Sequence, residues 1–312
     1  MTQLTFHVGA LARIVKDGRT YFPIKPRGPH RMEFLKQSFE LLEKRELAPK
    51  VNLYRVRAPQ VARAHKAGQF VIIRACEGSE RIPLTIADAD PVAGTVTLVV
   101  QEVGSSTARM ARVAVGECFT DLLGPLGSPT HVAKIGTVVC VGGGIGIAPV
   151  HPIAQAMKAA GNRVIGVLAA RNTGLLFFRD EMRKACDEVR VWTDDGSEGK
   201  KGLATDAIRE IQAEGPIAEV IAIGPVPMMK FVSKLTKELG IPTQVSLNPV
   251  MVDGTGMCGG CRVTVGGKAK FVCVDGPEFD GHLVDFDELS RRQAIYKEDE
   301  RHAMERLQKE VR

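Results

Sequence analysis

From Lys50 to Arg57 apolar and polar residues alternate (KVNLYRVR), and two further apolar runs, Gln69 to Arg74 and the β-branched Thr95 to Val100, follow at short spacing. Alternation with a period of two marks a strand that buries one face. Gly68, Gly78, Gly94, Gly104 and Gly116 punctuate these runs, so residues 38–132 are expected to form an antiparallel barrel of short strands. From Gly136 the pattern changes. Thr137 to Val141 reads as an apolar strand that enters Gly142-Gly-Gly144-Ile-Gly146-Ile-Ala-Pro149 and then a helix to about Ala160, with Pro149 near its first turn, where proline is tolerated. Arg163 to Ala170, Glu188 to Trp192, Glu219 to Ile223 and Thr243 to Leu247 read as further strands, separated by helical stretches near Leu176 to Ala185, Ala204 to Ala213 and Pro227 to Leu239. That alternation predicts a doubly wound parallel sheet over residues 133–247, with ligands at the carboxyl ends of its strands. Residues 248–312 begin with a loop rich in glycine and cysteine. They end in a charge-dense stretch from Asp287 to Arg312, expected to be an exposed helix with Leu289, Ile295, Met304, Leu307 and Val311 as sparse apolar positions.

Charge alters this picture little. The net charge is +6, and most of the excess lies in the first 31 residues, where Arg13, Lys16, Arg19, Lys25, Arg27 and Arg31 face one acid, Asp17. The near-neutral body has little electrostatic reason to bind nucleic acid. No apolar run reaches the roughly 18 residues of a membrane span, so no membrane partner is expected. Seven cysteines, an odd number at low density, point to a reducing and therefore cytoplasmic address. Cys76, Cys118, Cys140 and Cys186 are read as packing residues. Pro23, Pro26 and Pro29 make residues 1–37 an irregular extension with no assigned function, and Met32 within it is an alternative start.

The chemistry concentrates in Asp253-Gly-Thr-Gly-Met-Cys258-Gly-Gly-Cys261, followed by Cys273. A plant-type 2Fe-2S site is spaced C-x4-C-x2-C with a distal fourth cysteine. Cys258, Cys261 and Cys273 supply three of these positions, and Asp253 stands where the first thiolate belongs. The same four residues could instead hold zinc, although closed zinc sites mostly use four Cys or His ligands and the loop has no histidine. The cysteines could also be buried apolar residues, which so many glycines would pack poorly. Gly142, Gly143, Gly144 and Gly146 form a strand–loop–helix junction whose amides suit a diphosphate, but the strict G-x-G-x-x-G spacing is absent. Arg81, Pro83, Leu84 and Thr85 could serve a diphosphate and a flat hydrogen-bonding ring, with Arg81 equally readable as a solvated charge. Gly104, Ser105, Ser106 and Thr107 form a second short polar motif. Asp194, Gly224 and Pro225 fall just past strand ends, where a dinucleotide lies or where ordinary turns occur. Arg171 could meet a 2′-phosphate or pair with a diphosphate.

Three motifs add family information: Arg81-Ile-Pro-Leu-Thr-Ile-Ala-Asp88, Val141-Gly-Gly-Gly-Ile-Gly-Ile-Ala-Pro149 and Ser246 through Cys261. With Ile223-Gly-Pro-Val-Pro-Met-Met229, and in this order, they resemble the ferredoxin reductase superfamily in the branch of the dihydroorotate dehydrogenase electron-transfer subunit. Within that branch the chain is most similar to the small subunits of NADH-dependent ferredoxin:NADP+ oxidoreductases, also called sulfide dehydrogenases. The resemblance implies an FAD-binding barrel, an NAD(P)-binding domain and a C-terminal 2Fe-2S loop and helix. It puts Arg81 on the FAD diphosphate, Thr85 by the isoalloxazine as the catalytic-site residue, Gly104 to Thr107 in the same site, and Gly142 to Gly146 on the NAD(P)H diphosphate. It further implies a larger flavin and iron-sulfur subunit as heterodimer partner, with ferredoxin reached indirectly. Many superfamily members place cysteine where Ile223 stands, so a role for that side chain in hydride transfer is not implied here. Asp253 in place of a fourth cysteine favours the ferredoxin:NADP+ type over the subunit serving dihydroorotate oxidation. A reading of another class, a zinc-stabilised nucleotide-binding module, stays open at this point.

Overall fold

The alternating segment forms the strand Val51–Arg57, paired antiparallel with Phe39–Ala48 on one side and Thr95–Gln101 on the other. The seven-stranded sheet runs on through Arg81–Asp90 and Phe70–Arg74 to Asp121–Leu126, with Cys118–Phe119 at the opposite edge. Those two edge strands are separated in sequence by Thr120 alone, so the sheet must roll until its edges approach, giving a nearly closed barrel. Leu41, Tyr54, Ile73, Ile86 and Leu98 fill its interior. This computed structural model describes residues 39–310 together with the short strands Ile14–Lys16 and Arg19–Tyr21, which pair antiparallel as a unit by themselves. The rest of the extension, including Met32 and its prolines, lies outside the described residues, as does Val311.

The second sheet has the order Lys200–Lys201, Glu188–Thr193, Arg163–Ala170, Thr137–Gly143, Glu219–Ile223, Thr243–Ser246, Glu278–Asp280. All neighbours are parallel except the last pair. Successive side chains of Thr137–Gly143 go to opposite faces. Val139 and Val141 join the cluster that packs Ala204–Glu214 and Val226–Leu239, while Val138 and Cys140 join the one that packs Ile147–Ala159. The chain moves outward in both directions from Thr137–Gly143, which makes the gap between it and Glu219–Ile223 the topological switch point. Barrel, sheet and C-terminal segment pack as one unit.

Two features differ from expectation. Glu278–Asp280 returns to the sheet as an antiparallel edge, so the loop from Leu247 to Pro277 leaves one strand of the sheet and comes back beside it. The C-terminal stretch forms two helices, Phe286–Ala294 and Lys297–Glu310, rather than one. Asp285 caps the first by accepting the Glu288 N–H at 2.8 Å. Leu289 and Leu307 are buried, and the second helix lies against the short helix Ser105–Met110 of the barrel. Ile295, between the two helices, is exposed. Of the cysteines read as packing residues, Cys140 and Cys186 are buried, whereas Cys118 is exposed on its edge strand.

Candidate functional site

A cavity of about 200 Å³ lies where three parts of the chain meet. The barrel contributes Pro83, Leu84 and Thr85, the switch point contributes Gly146 and Gly224, and the start of the C-terminal loop contributes Ser246, Asn248 and Met251. Antiparallel pairing of Thr85 with Phe70 sets the strand's register and half-buries the threonine at the cavity wall. Ile223 faces the same space with an apolar side chain, so it offers no group for proton or hydrogen-bond chemistry. A larger cavity of about 390 Å³ opens at the carboxyl ends of the parallel strands, walled by Gly143, Gly144, Arg171, Asp194 and Pro225. Ile145 borders both cavities.

The glycines of the switch point do different work. A Cβ on Gly146 would stand 2.0 Å from the Ile223 carbonyl oxygen, and one on Gly142 would stand 2.6 Å from the Ile147 Cα. Both positions are needed for the strand and helix to approach each other. Gly144 has φ +53° with no neighbouring atom within 4 Å of a Cβ, so it leaves the wall of the larger cavity open for a ligand. That open cradle beside the turn Gly144–Gly146 and the helix Ile147–Ala159 fits a diphosphate.

Other expected positions do not line either of these cavities. Arg81 is half-exposed and donates from Nη2 to Asp121 Oδ2 at 2.6 Å, joining two neighbours of the strand Phe70–Arg74 across the barrel edge. Gly104 precedes the helix Ser105–Met110, and a Cβ there would meet nothing within 4 Å. The Thr107 hydroxyl accepts the Val103 and Gly104 N–H groups at 3.0 and 3.1 Å. Ser106 reaches Glu80 at 3.3 Å.

The cysteine loop sits against the barrel: a Cβ on Gly254 would strike Leu126 and Ile72 at 2.7 and 2.8 Å. Cys261 and Cys273 are buried with their sulfurs 3.3 Å apart, and Cys258 is exposed. Burial, with the adjacent Cys261, pushes the Cys273 thiol up to about 12. Backbone amides point at two sulfurs, from Gly260 to Cys258 Sγ and from Cys273 to Cys261 Sγ, each at 3.4 Å. Asp253 turns inward on the loop. Its Oδ1 accepts the Thr255 N–H at 2.9 Å and its Oδ2 the Cys258 N–H at 2.7 Å, and these bonds hold its carboxyl below its ordinary range. Among the described residues no three His, Cys, Asp or Glu side chains converge as a closed metal cage. Two thiols and a carboxylate on a glycine-rich loop, with a third thiol on the short helix Val272–Asp275 and amides donating to sulfur, fit an iron-sulfur cluster in donor chemistry.

The helix Phe286–Ala294 holds this loop at two points. Gln293 Nε2 donates to the Asn248 carbonyl at 2.8 Å, and Arg292 Nη2 donates to the Gly260 carbonyl at 3.1 Å. Glu278 Oε1 accepts the Thr130 hydroxyl at 2.7 Å, tying the end of the loop to the segment that leaves the barrel. Sequence reasoning passed over Ser246, Asn248, Met251, Arg292 and Gln293 as site residues. The first three lie in the motif that carried the resemblance, whereas nothing local marks the last two.

Comparison with known proteins agrees with this arrangement. Residues 140–234 match an oxidoreductase NAD-binding domain, and residues 248–285 match the iron-sulfur cluster binding domain of dihydroorotate dehydrogenase B. A homologue of the dihydroorotate dehydrogenase B (NAD(+)) electron transfer subunit from Thermotoga maritima is 47% identical over 270 residues, covering 86% of this chain and 95% of its own. The electron transfer subunit of that enzyme from Fusobacterium nucleatum subsp. nucleatum is 35% identical over 222 residues, covering 68% and 84%. A chain of the NADH-dependent reduced ferredoxin-NADP oxidoreductase structure superposes with a TM-score of 0.82 at 46% identity, covering 86% of this chain and 97% of that one. Phthalate dioxygenase reductase, at 16% identity and a TM-score of 0.53, shares the fold. No helix among the described residues is long and apolar enough to cross a membrane. With relatives this similar over most of their length, the chain belongs to the family of dihydroorotate dehydrogenase B electron-transfer subunits and their homologues.

Proposed function

We propose that this chain is the FAD and 2Fe-2S subunit of a ferredoxin:NAD(P)+ oxidoreductase, passing electrons between NAD(P)H and a larger partner subunit. The observation that carries the reading is the cavity of about 200 Å³ in which Thr85, Gly146 and Asn248 meet, one from each of the three parts. Bound there, a flavin would exchange a hydride with the nicotinamide and single electrons with the iron-sulfur cluster.

The chain's own residues define the path. Residues 38–132 form the FAD domain, 133–247 the NAD(P) domain and 248–312 the cluster segment. Pro83, Leu84 and Thr85 line the ring's place, Thr85 offering a hydroxyl and its strand offering backbone groups. Arg81 serves the FAD diphosphate together with Gly104, Ser105, Ser106 and Thr107. Gly142, Gly143, Gly144 and Gly146 form the NAD(P)H diphosphate turn, and Asp194, Gly224 and Pro225 border the nucleotide. Asp253, Cys258, Cys261 and Cys273 hold the cluster. Hydride transfer itself needs no acid or base, so the protein's contribution is alignment and exclusion of water. Val252, Met257 and Val274, in the same segment as exposed Cys258, are also exposed, and exposed apolar residues there suit a permanent partner. The address is cytoplasmic.

A second reading is favoured by the family itself: the partner could be the catalytic subunit of dihydroorotate oxidation, with the same cofactors. An anaerobic absorbance spectrum with iron, zinc and flavin analysis on one sample tests the main reading. Flavin with two irons per chain is expected; flavin with zinc and no iron would overturn it. The large subunit that co-elutes then separates the two partners.

A further inference from the structure

Arg292 stands in the helix Phe286–Ala294 with its Nη2 on the Gly260 carbonyl at 3.1 Å, inside the Cys258–Cys261 turn. Its Nε is buried with no hydrogen-bond partner. Among the described residues no carboxylate is ion-paired with it, whereas Arg190, Arg179 and Arg301 all are. The side chain is partly buried; a guanidinium is always charged, and a buried N–H donor without a partner beside an unneutralised charge is costly. Such a group is kept where something else compensates.

The rest of the turn suggests what compensates. Gly260 donates its N–H to Cys258 Sγ at 3.4 Å while its carbonyl is held by Arg292. A trans peptide points its N–H opposite to its C=O. Pinning the Gly260 carbonyl therefore turns the Cys261 N–H away from the arginine. One side chain thus orients the peptide between two thiols and brings a full positive charge to the same place.

We propose that Arg292 is a positioning residue that raises the reduction potential of the cluster. The inference rests on the cluster assignment of the proposed function. Reduction adds one negative charge to a group held by three thiolates and a carboxylate. A cation held on the Gly260 carbonyl, within the Cys258–Cys261 turn and partly buried, favours the more negative state. The effect belongs to the outer shell of the site, where hydrogen bonds and charge tune a metal group without ligating it. Lys230, by contrast, is paired with Asp287, and Lys270 with Asp275; their charges are largely spent on those carboxylates.

The test is a redox titration of the full chain, with the cluster followed by electron paramagnetic resonance and the flavin by absorbance in the same sample. Parent, Arg292→Gln and Arg292→Lys are compared. Glutamine can still donate to the Gly260 carbonyl but carries no charge, and lysine keeps the charge. Expected are a lower cluster midpoint in Arg292→Gln, a midpoint near the parent in Arg292→Lys, and an unchanged flavin midpoint in both. An unmoved cluster midpoint in Arg292→Gln, or equal shifts in both variants, would overturn the assignment. Loss of iron from Arg292→Gln would also overturn it and leave Arg292 a structural clamp. A parent chain that holds no iron defeats the cluster reading instead, so the two failures are distinguishable.

Discussion

The Thr130 hydroxyl donates to Glu278 Oε1 at 2.7 Å, linking the segment that leaves the barrel to the strand on which the cysteine loop ends. Burial is the larger influence on Glu278. It outweighs the Thr130 bond, is reinforced by Glu219, and pushes the carboxyl up from 4.5 to about 7. A carboxyl with a raised folded pKa binds an extra proton on folding between these values, so its contribution weakens stability as pH rises from about 4.5 through 7. The total effect is on the order of 3 kcal/mol, since one pKa unit is worth about 1.4 kcal/mol. Denaturant unfolding between pH 5 and 8 is expected to show Glu278→Gln with a flatter profile than the parent. Parallel profiles would show that Glu278 does not titrate in this range.

Asp253 presents two expectations that a single residue can separate. Asp253→Cys restores a four-thiol set and should keep two irons per chain while shifting the cluster potential, because a carboxylate is a harder ligand than a thiolate. Asp253→Ala removes both the ligand and the acceptor for the Thr255 and Cys258 N–H groups, and should lose iron. Iron analysis and a redox titration check both. An unchanged potential in Asp253→Cys would count against ligation.

Gly146→Ala and Gly144→Ala should behave differently although the two glycines are neighbours in one turn. The first forces a methyl to within 2.0 Å of a backbone oxygen, and is expected to destabilise the chain by about 1–3 kcal/mol or more and to weaken NAD(P)H binding. The second meets open space and costs about 1–2 kcal/mol for its left-handed backbone. Gly144 lines the larger cavity, proposed to take the nucleotide, so weaker NAD(P)H binding should be the substitution's main effect. Thermal unfolding alongside nucleotide titration distinguishes them.

Arg81→Gln should lower FAD affinity roughly 10- to 100-fold, the scale of one lost charge-assisted hydrogen bond of about 1.5–3 kcal/mol. Asp121→Asn, which releases Arg81 from its ion pair, should retain FAD at least as well as the parent. Flavin release measured by fluorescence during dilution reads both. Equal losses in the two variants would make the pair a structural strut rather than a flavin contact.

Local pattern determined much of this protein. The apolar runs at Arg163–Ala170 and Glu219–Ile223 are strands to the residue, since a buried parallel strand needs unbroken hydrophobicity and that need is written in consecutive positions. The glycine turn after Thr137–Gly143 and the spacing of Asp253, Cys258 and Cys261 are likewise matters of neighbouring residues. Phe39–Ala48 is different. FELLEKRELA carries helix-favouring leucine, glutamate and lysine, and it becomes a strand because Val51–Arg57 and Cys118–Phe119 offer it hydrogen-bonding edges. The return of Glu278–Asp280 to the sheet, the ion pair of Arg81 with Asp121 forty residues away, and the reach of Arg292 to Gly260 across 32 residues also depended on the folded chain. Periodicity reports what a segment does with its own backbone and which face it buries. Which distant group fills the space against that face follows only when the whole core has closed and each buried polar atom has found its partner.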